Sequence, residues 1–290
     1  MTSAAEKASV LIKALPYLQR FRGKTFLIKM GGSAMDNPSL VREVMRDIVF
    51  LEVAGIRPVI VHGGGKAISA AMNESGLEAK FIGGLRVTSA EAIAIVDRTL
   101  HGEINKDLVR AINEFGGKAT SIHGTSVFAA KQLLGKDDDG TMVDIGRVGQ
   151  VTECRVEEVL NALSAGLVPV ISPLGKHEDT NETHNINADL AAAALACALK
   201  PAKLVYLSDV PGLLRDPSDE GTLIESVKGD AARSLIDDGT ISGGMIPKIT
   251  SALEALASGV EKVHFIDGRV PHTLLLEIFT KSGIGTEIRR

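Results

Sequence analysis

The chain contains no tryptophan, only two cysteines and few aromatic residues of any kind, 3% of its 290 positions. Rings this scarce leave few platforms on which single-stranded nucleic acid could stack. A net charge of −4 adds no electrostatic pull toward a phosphate backbone. Nucleic acid is therefore not an expected partner. Cys154 and Cys197 lie far apart and outside any CxxC spacing, so neither a disulfide framework nor a zinc site is indicated. Both are expected as buried thiols in a reducing compartment. No apolar run reaches the roughly 18 residues of a membrane span. Glu6 and Lys7 fall where a secretory leader needs an apolar core. A cytoplasmic location, away from membranes, is the expectation.

What remains is 44% hydrophobic and 23% charged, rich in glycine and alanine, and long enough for one large α/β domain or two lobes. Residues 8–22 form an amphipathic pattern with Leu11, Leu15 and Leu18 on one face and Pro16 in the middle, where it should kink a helix. From Thr25 the chain alternates. Apolar strands are expected at 26–30, 58–62, 167–172, 203–208 and 261–266. Helices are expected at 38–54, 66–75, 89–115, 156–165, 187–199, 228–237, 246–258 and 271–281. Residues 119–152 read as β-rich with a turn-broken ladder in MVDIGRVGQVTE, and the polar stretch 177–185 reads as a loop. This alternation implies βαβ units and a mainly parallel sheet covered on both faces. A composition change at Lys200-Pro201 suggests a lobe boundary, giving an N-terminal helix (1–24), one lobe (25–200) and a second (201–290).

Chemistry gathers where strands end. Phe26–Ser33, FLIKMGGS, embeds Lys29 in an apolar run that closes in Gly31-Gly32. An ammonium at the edge of a core is costly unless an anion meets it, and a glycine pair lets backbone N–H groups turn toward a bound group. PVIVH then runs into Gly63-Gly64-Gly65. Two such turns, each closing a buried strand and opening a helix, point to an anion cradle. Neither fits the dinucleotide fingerprint or the P-loop pattern. Arg86, after another glycine pair, has the planar fork that suits a carboxylate, or is simply a solvated surface arginine. Asn185, Asn187 and Asp189 enter a helix that is otherwise almost all alanine and leucine, and one of the asparagines is expected to cap it. Asp209–Leu214 turn sharply out of a third buried strand, and the loop 239–248 delivers Lys248 at a helix start, where the dipole disfavours it unless an anion intervenes.

In order, KMGGSAM, VIVHGGGKAI, GLRVT, GRVGQV, NINAD, LSDVPGLL, SGGMIPK and HFIDGRVPH resemble the acetylglutamate kinase branch of the amino acid kinase family, over residues 8 to 290. The resemblance implies a three-layer αβα sandwich with a mainly parallel open sheet. It implies an acyl amino acid in the first lobe and ATP in the second. The chemistry implied is phosphoryl transfer from MgATP, with Mg²⁺ carried by the nucleotide and no dedicated protein metal site, to the side-chain carboxylate of N-acetyl-L-glutamate. Lys29, Lys248 and Asp189 would be catalytic. Gly31, Gly32 and Gly64 would cradle the phosphoryl group. Gly64, Gly65, Arg86, Asn185 and Asn187 would hold the substrate. Asp209, Val210, Pro211, Gly212, Leu213, Leu214, Thr240, Ile241 and Ser242 would line the nucleotide. Two departures stand out: Lys66 where the family usually has proline, and a divergent stretch at 121–135.

The N-terminal helix and the C-terminal run Glu277–Gly285 resemble the arginine-sensitive members of the branch. That implies arginine as an effector held by Tyr17, Glu277 and Gly283, and a hexamer built as a trimer of dimers. Two other readings stay open at this point: a kinase for another small carboxylate such as aspartate, and a non-catalytic amino-acid sensor of the same fold. The paired lysines argue against the sensor.

Overall fold

A computed structural model describes residues 4–137, 139–241, 243–280 and 283–290. Helix α1 (Ala4–Phe21) precedes strand β1 (Thr25–Met30). A 3-10 turn at Gly32–Met35 leads to α2 (Pro38–Val53), β2 (Arg57–His62), α3 (Gly65–Glu74) and a hairpin of β3 (Phe81–Ile82) with β4 (Leu85–Arg86). A helical stretch follows in three pieces: α4 (Ala92–Asp97), a π-helical segment (Arg98–Asn105) and α5 (Lys106–Glu114). Next come β5 (Ala119–Ile122), α6 (Gly124–Val127), β6 (Phe128–Lys136), β7 (Met142–Cys154), α7 (Glu157–Ser164) and β8 (Val168–Ile171). Strands β9 (Leu174–His177) and β10 (Thr183–Ile186) lead to α8 (Ala188–Leu199) and β11 (Lys203–Ser208). The chain closes with β12 (Ser226–Lys228), α9 (Gly229–Asp237), α10 (Met245–Ser258), β13 (Lys262–Asp267), α11 (Thr273–Phe279) and β14 (Thr286–Arg289).

Among the described residues, eight strands form one sheet in the order β12-β14-β13-β11-β1-β2-β8-β5, with β14 antiparallel to β13 and the other pairings parallel. Side chains along β1 and β2 alternate between two cores. Leu27, Val59 and Val61 join α8 and α10 on one face, while Phe26, Ile28 and Ile60 join α2 and α5 on the other. Burial on both faces is why these strands are continuous apolar runs. The result is a three-layer α/β sandwich. Its sheet runs unbroken across residue 200, because β1 pairs with β11. Strands β6, β7, β9 and β10 close separately into a small barrel.

Four details differ from the sequence reading. The helix expected over 89–115 is π-helical in its centre. Residues 142–154 form one strand, bent rather than broken, with register shifts against β6. The polar stretch 177–185 is a β-hairpin tip rather than a loop throughout, since His177 ends β9 and β10 begins at Thr183. Its alternation of buried His184 and Ile186 with half-buried neighbours keeps one face on the barrel. The two cysteines are free but half-buried, both packed against the same core. No helix among the described residues is long and apolar enough to cross a membrane.

Candidate active site

The strand order places the carboxyl ends of β11, β1 and β2 side by side, with Met30 opposite both Leu207 and His62. Turns leaving those ends must therefore meet, as ligand sites of open parallel sheets do. Lys29 is buried, and its ammonium lies directly over the first turn: a Cβ on Gly31 would strike Lys29 Nζ. Gly32 adopts φ +70°, and a Cβ there would strike the carboxylate of Asp209, which reaches over from the end of β11. The left-handed φ reserves the second place for glycine, and a side chain at the first would have to displace the lysine ammonium.

The anion that meets Lys29 is Asp189, with Nζ 2.7 Å from Oδ1. Lys248, one turn into α10, approaches the other oxygen at 3.8 Å. Asp189 sits in the first turn of α8 because Asn187 caps that helix, accepting from the Asp189 and Leu190 N–H groups at 2.9 and 3.2 Å. Burial pushes the Asp189 carboxyl up, but the two ammonium groups outweigh it and hold the carboxyl below its usual range. A carboxylate thus stands between two cations drawn from the two halves of the chain.

Beside this triad, Arg86, Asn185, Gly64, Gly65 and Asn187 line one cavity. Arg86 is buried, stacked 4.6 Å from the Phe81 ring centroid, and donates to Gly65 O at 2.6 Å and Ser69 Oγ at 2.9 Å. It is not a solvated surface group. Asn185 reaches Thr88 Oγ1 at 3.3 Å. Asn187 reaches the same cavity, but its Oδ1 is committed to the cap.

The segment 209–214 is less uniform. Asp209 is exposed and Val210 and Pro211 are half-buried, whereas Gly212 packs on Thr286 and Leu213 is in the core. Ile241 is also core, Thr240 is half-buried, and Ser242 lies outside the described residues. The side chains of Leu213 and Ile241 therefore brace this loop region from below. Lys66 is exposed and pairs with Asp36 at 2.9 Å, bridging the first turn of α3 to the loop before α2. Among the described residues no group of three or more His, Cys, Asp or Glu side chains could hold a metal ion.

A second cavity lies between α1, α11 and β13, lined by Tyr17, Lys203, His264, Glu277 and Gly283 among others. Glu277 accepts from the Ile284 and Gly285 N–H groups at 2.8 and 3.1 Å and pairs with His264 Nδ1 at 2.6 Å. Burial pushes its carboxyl up, but these partners hold it below the ordinary range. Lys203, whose Nζ is 2.7 Å from His264 Nε2, is brought down to about 8 by burial and by Lys262. Sequence reasoning named Tyr17, Glu277 and Gly283 but missed Lys203 and His264. Each sits in an apolar strand, where a lone polar residue is easily taken for a core group.

A lysine over a glycine turn, an aspartate joining it to a second lysine, and a neighbouring pocket with a buried arginine are the parts of a phosphotransferase cleft. Residues 24–267 match the amino acid kinase family, and the chain belongs to it. Within that family it groups with the acetylglutamate kinases. It is 60% identical over 290 residues to the acetylglutamate kinase of Akkermansia muciniphila, covering 100% of this chain and 98% of that one. It is 45% identical over 290 residues to that of Halothermothrix orenii, covering 99% of each. Among solved structures, N-acetylglutamate synthase from Neisseria gonorrhoeae, complexed with coenzyme A and N-acetyl-glutamate, superposes with a TM-score of 0.85 at 28% identity. That match covers 98% of this chain and 63% of the synthase.

Proposed function

We propose that this chain transfers the terminal phosphoryl group of MgATP to the side-chain carboxylate of N-acetyl-L-glutamate, giving an acyl phosphate on the route to arginine. The observation that carries the reading is the Lys29–Asp189–Lys248 triad over the Gly31-Gly32 turn, next to the cavity of Arg86 and Asn185. A side-chain carboxylate with a pKa near ~4.3 is already ionised at neutral pH, so no general base is required. The obstacle is repulsion between an anionic nucleophile and an anionic phosphoryl group, and catalysis is mostly alignment and charge neutralisation.

Lys29 and Lys248 would neutralise the transferring group and the leaving oxygens, with Asp189 holding both ammonium groups in place. Backbone N–H groups of Gly31, Gly32 and Gly64 would cradle the phosphoryl oxygens. Arg86 and Asn185 would take the α-carboxylate and its neighbours, and the loops at 209–214 and 240–242 would flank the nucleotide, with Leu213 and Ile241 supporting them from the core. Mg²⁺ would ride on the ATP phosphates and water. The first lobe (25–200) would thus serve the acyl amino acid and the second (201–290) the nucleotide. A panel of N-acetyl-L-glutamate, L-glutamate and L-aspartate, followed by ADP release, tests the reading. Turnover of the acetylated substrate alone supports it; turnover of aspartate instead, or binding without turnover, replaces it with the aspartate kinase or the sensor.

We infer further that arginine regulates this enzyme through the second cavity. The cavity joins an acidic carboxylate, Glu277, to Tyr17 and Gly283, an arrangement suited to a guanidinium and an α-amino group. A related structure, the Neisseria gonorrhoeae synthase complexed with coenzyme A and L-arginine, superposes at a TM-score of 0.80 and 26% identity, over 65% of that chain. Leu11 and Leu15, four residues apart on one side of α1, are both exposed, a face that a second subunit would cover in a hexamer made of three dimers. A particle that sediments as a dimer and ignores millimolar arginine would remove this second reading and leave the first intact. The cytoplasm is the compartment consistent with it.

A further inference from the structure

We propose that His62 and Asn105 are positioning residues for phosphoryl transfer, fixing the Gly63–Gly64 peptide so that the Gly64 N–H faces the transferring group. The proposal rests on the phosphoryl-cradling role inferred above for the glycine turn.

His62 ends β2 and is fully buried. Its Nδ1 lies 3.0 Å from the carbonyl oxygen of Gly63, and its Nε2 lies 3.2 Å from Asn105 Nδ2. A carbonyl can only accept, so Nδ1 carries the hydrogen. Asn105 Nδ2 also lies 2.9 Å from Val170 O, which turns the amide nitrogen toward β8 and the imidazole and leaves Nε2 as the acceptor. One neutral tautomer satisfies every contact. Burial, which brings the imidazole down to about 4, keeps it neutral at physiological pH.

The consequence follows from peptide geometry. In a trans peptide the C=O of one residue and the N–H of the next point in opposite directions. Holding the Gly63 carbonyl toward His62, in the protein interior, aims the Gly64 N–H the other way, to the side where Gly64 lines cavities shared with Arg86 and Asn185 and with Gly32 and Asp209. The turn is tied at its near end too, since Gly63 N–H donates to Met30 O at 2.8 Å.

The π-helical segment completes the clamp. A Cβ on Gly64 would fall 2.5 Å from Ile104 Cδ1 and 3.0 Å from Leu100 Cδ2, so that segment presses directly on the turn as well as gripping it through Asn105. Both features carry a cost: π-helical geometry is rarely favoured, and Asn105 Oδ1 is buried without a partner among the described residues. A leucine at 105 in a regular helix would avoid both costs. Positioning the donor gives the arrangement a reason.

The test measures kcat, both KM values and binding of the ADP–aluminium fluoride–N-acetyl-L-glutamate mimic in wild type, His62→Leu and His62→Asn. Asparagine returns an N–H donor near the place of Nδ1. We expect His62→Leu to lower kcat about 10- to 100-fold, short of full loss of a preorganised donor, with each KM within about threefold. Binding of the mimic should weaken in parallel, and His62→Asn should recover most of the loss. Wild-type kcat in His62→Leu, or a loss confined to KM, would overturn the positioning role while leaving the kinase reading standing. An inert wild-type enzyme would overturn the kinase reading and this inference with it. If the leucine variant does not fold, ¹⁵N spectra of the wild-type ring decide. A neutral Nδ1–H tautomer unchanged between about pH 6 and 8 supports the proposal, whereas an Nε2–H tautomer or titration near ~6.5 overturns it.

Discussion

Replacing Asp189 by asparagine keeps the shape of the side chain and removes the charge that joins Lys29 to Lys248. Two ammonium groups, 2.7 and 3.8 Å from its oxygens, then face each other across the cleft with no anion between them. Lys29 has a side chain only 8% exposed, so water cannot take over. Leaving one partner of a buried pair uncompensated costs about 3 kcal/mol, which for a chain of this size is roughly 5–10 °C in Tm. MgATP brings its own negative charge to the same place, so nucleotide should raise the Tm of Asp189→Asn by more than it raises that of wild type. Turnover should nevertheless fall by about 10²-fold or more, because the lysines are no longer held where charge develops. Differential scanning fluorimetry with and without MgATP, alongside steady-state kinetics, reads all three quantities. An unchanged Tm, or an ATP-induced rise no larger than that of wild type, would refute the claim that the Asp189 charge holds the two lysines together.

Lys29→Ala and Lys248→Ala should each lower kcat by about 10²-fold; near-normal turnover in steady-state assays would remove that lysine from the mechanism. Arg86→Ala should chiefly raise KM for N-acetyl-L-glutamate, and an unchanged KM with lost kcat would contradict its assignment. Asp47, buried in α2 and 2.8 Å from His272, is pushed up to about 6 chiefly by burial. Its folded value thus lies above the unfolded one, so its contribution to stability is full below about pH 4 and lost as pH rises through 6. His272 is also raised, by its hydrogen bond to Asp47, and its contribution fades in the same direction. Thermal melts from pH 5 to 7.5 should show a decline in wild type, about 1 to 1.5 kcal/mol from Asp47, that Asp47→Asn largely removes; parallel curves would contradict this. Glu277→Gln should raise the arginine concentration for half inhibition by at least about tenfold, and an unmoved inhibition curve would take Glu277 out of the effector site.

The central strands were legible because a strand buried on both faces is a continuous apolar run, and β1, β2, β8, β11 and β13 all are. Strand β14, one in from the sheet edge between β12 and β13, was not, since TEIR is short and buries only Thr286 and Ile288 of its four residues. The hairpin tip at 178–182 hid behind polar side chains, because its ladder is made by backbone groups. RTLHGEIN reads as ordinary helix, and no side-chain period announces that residues 98–105 widen into a π-helix. At the site, glycine pairs and the NINAD cap exposed Lys29, Asp189 and Asn187, since those residues have no comfortable role in a core. His62 stayed hidden for the opposite reason. It follows PVIV in a buried strand, and only the position of Asn105, distant in sequence, gives the imidazole its second partner.

Hydroxylamine trapping of the product formed from MgATP and N-acetyl-L-glutamate tests the account most directly. Acyl phosphate should appear as hydroxamate in step with ADP, be abolished in Lys29→Ala, and diminish as arginine is added. ADP without hydroxamate would contradict carboxylate phosphorylation by the Lys29–Asp189–Lys248 cleft, and hydroxamate unaffected by the loss of Lys29 would place the chemistry elsewhere.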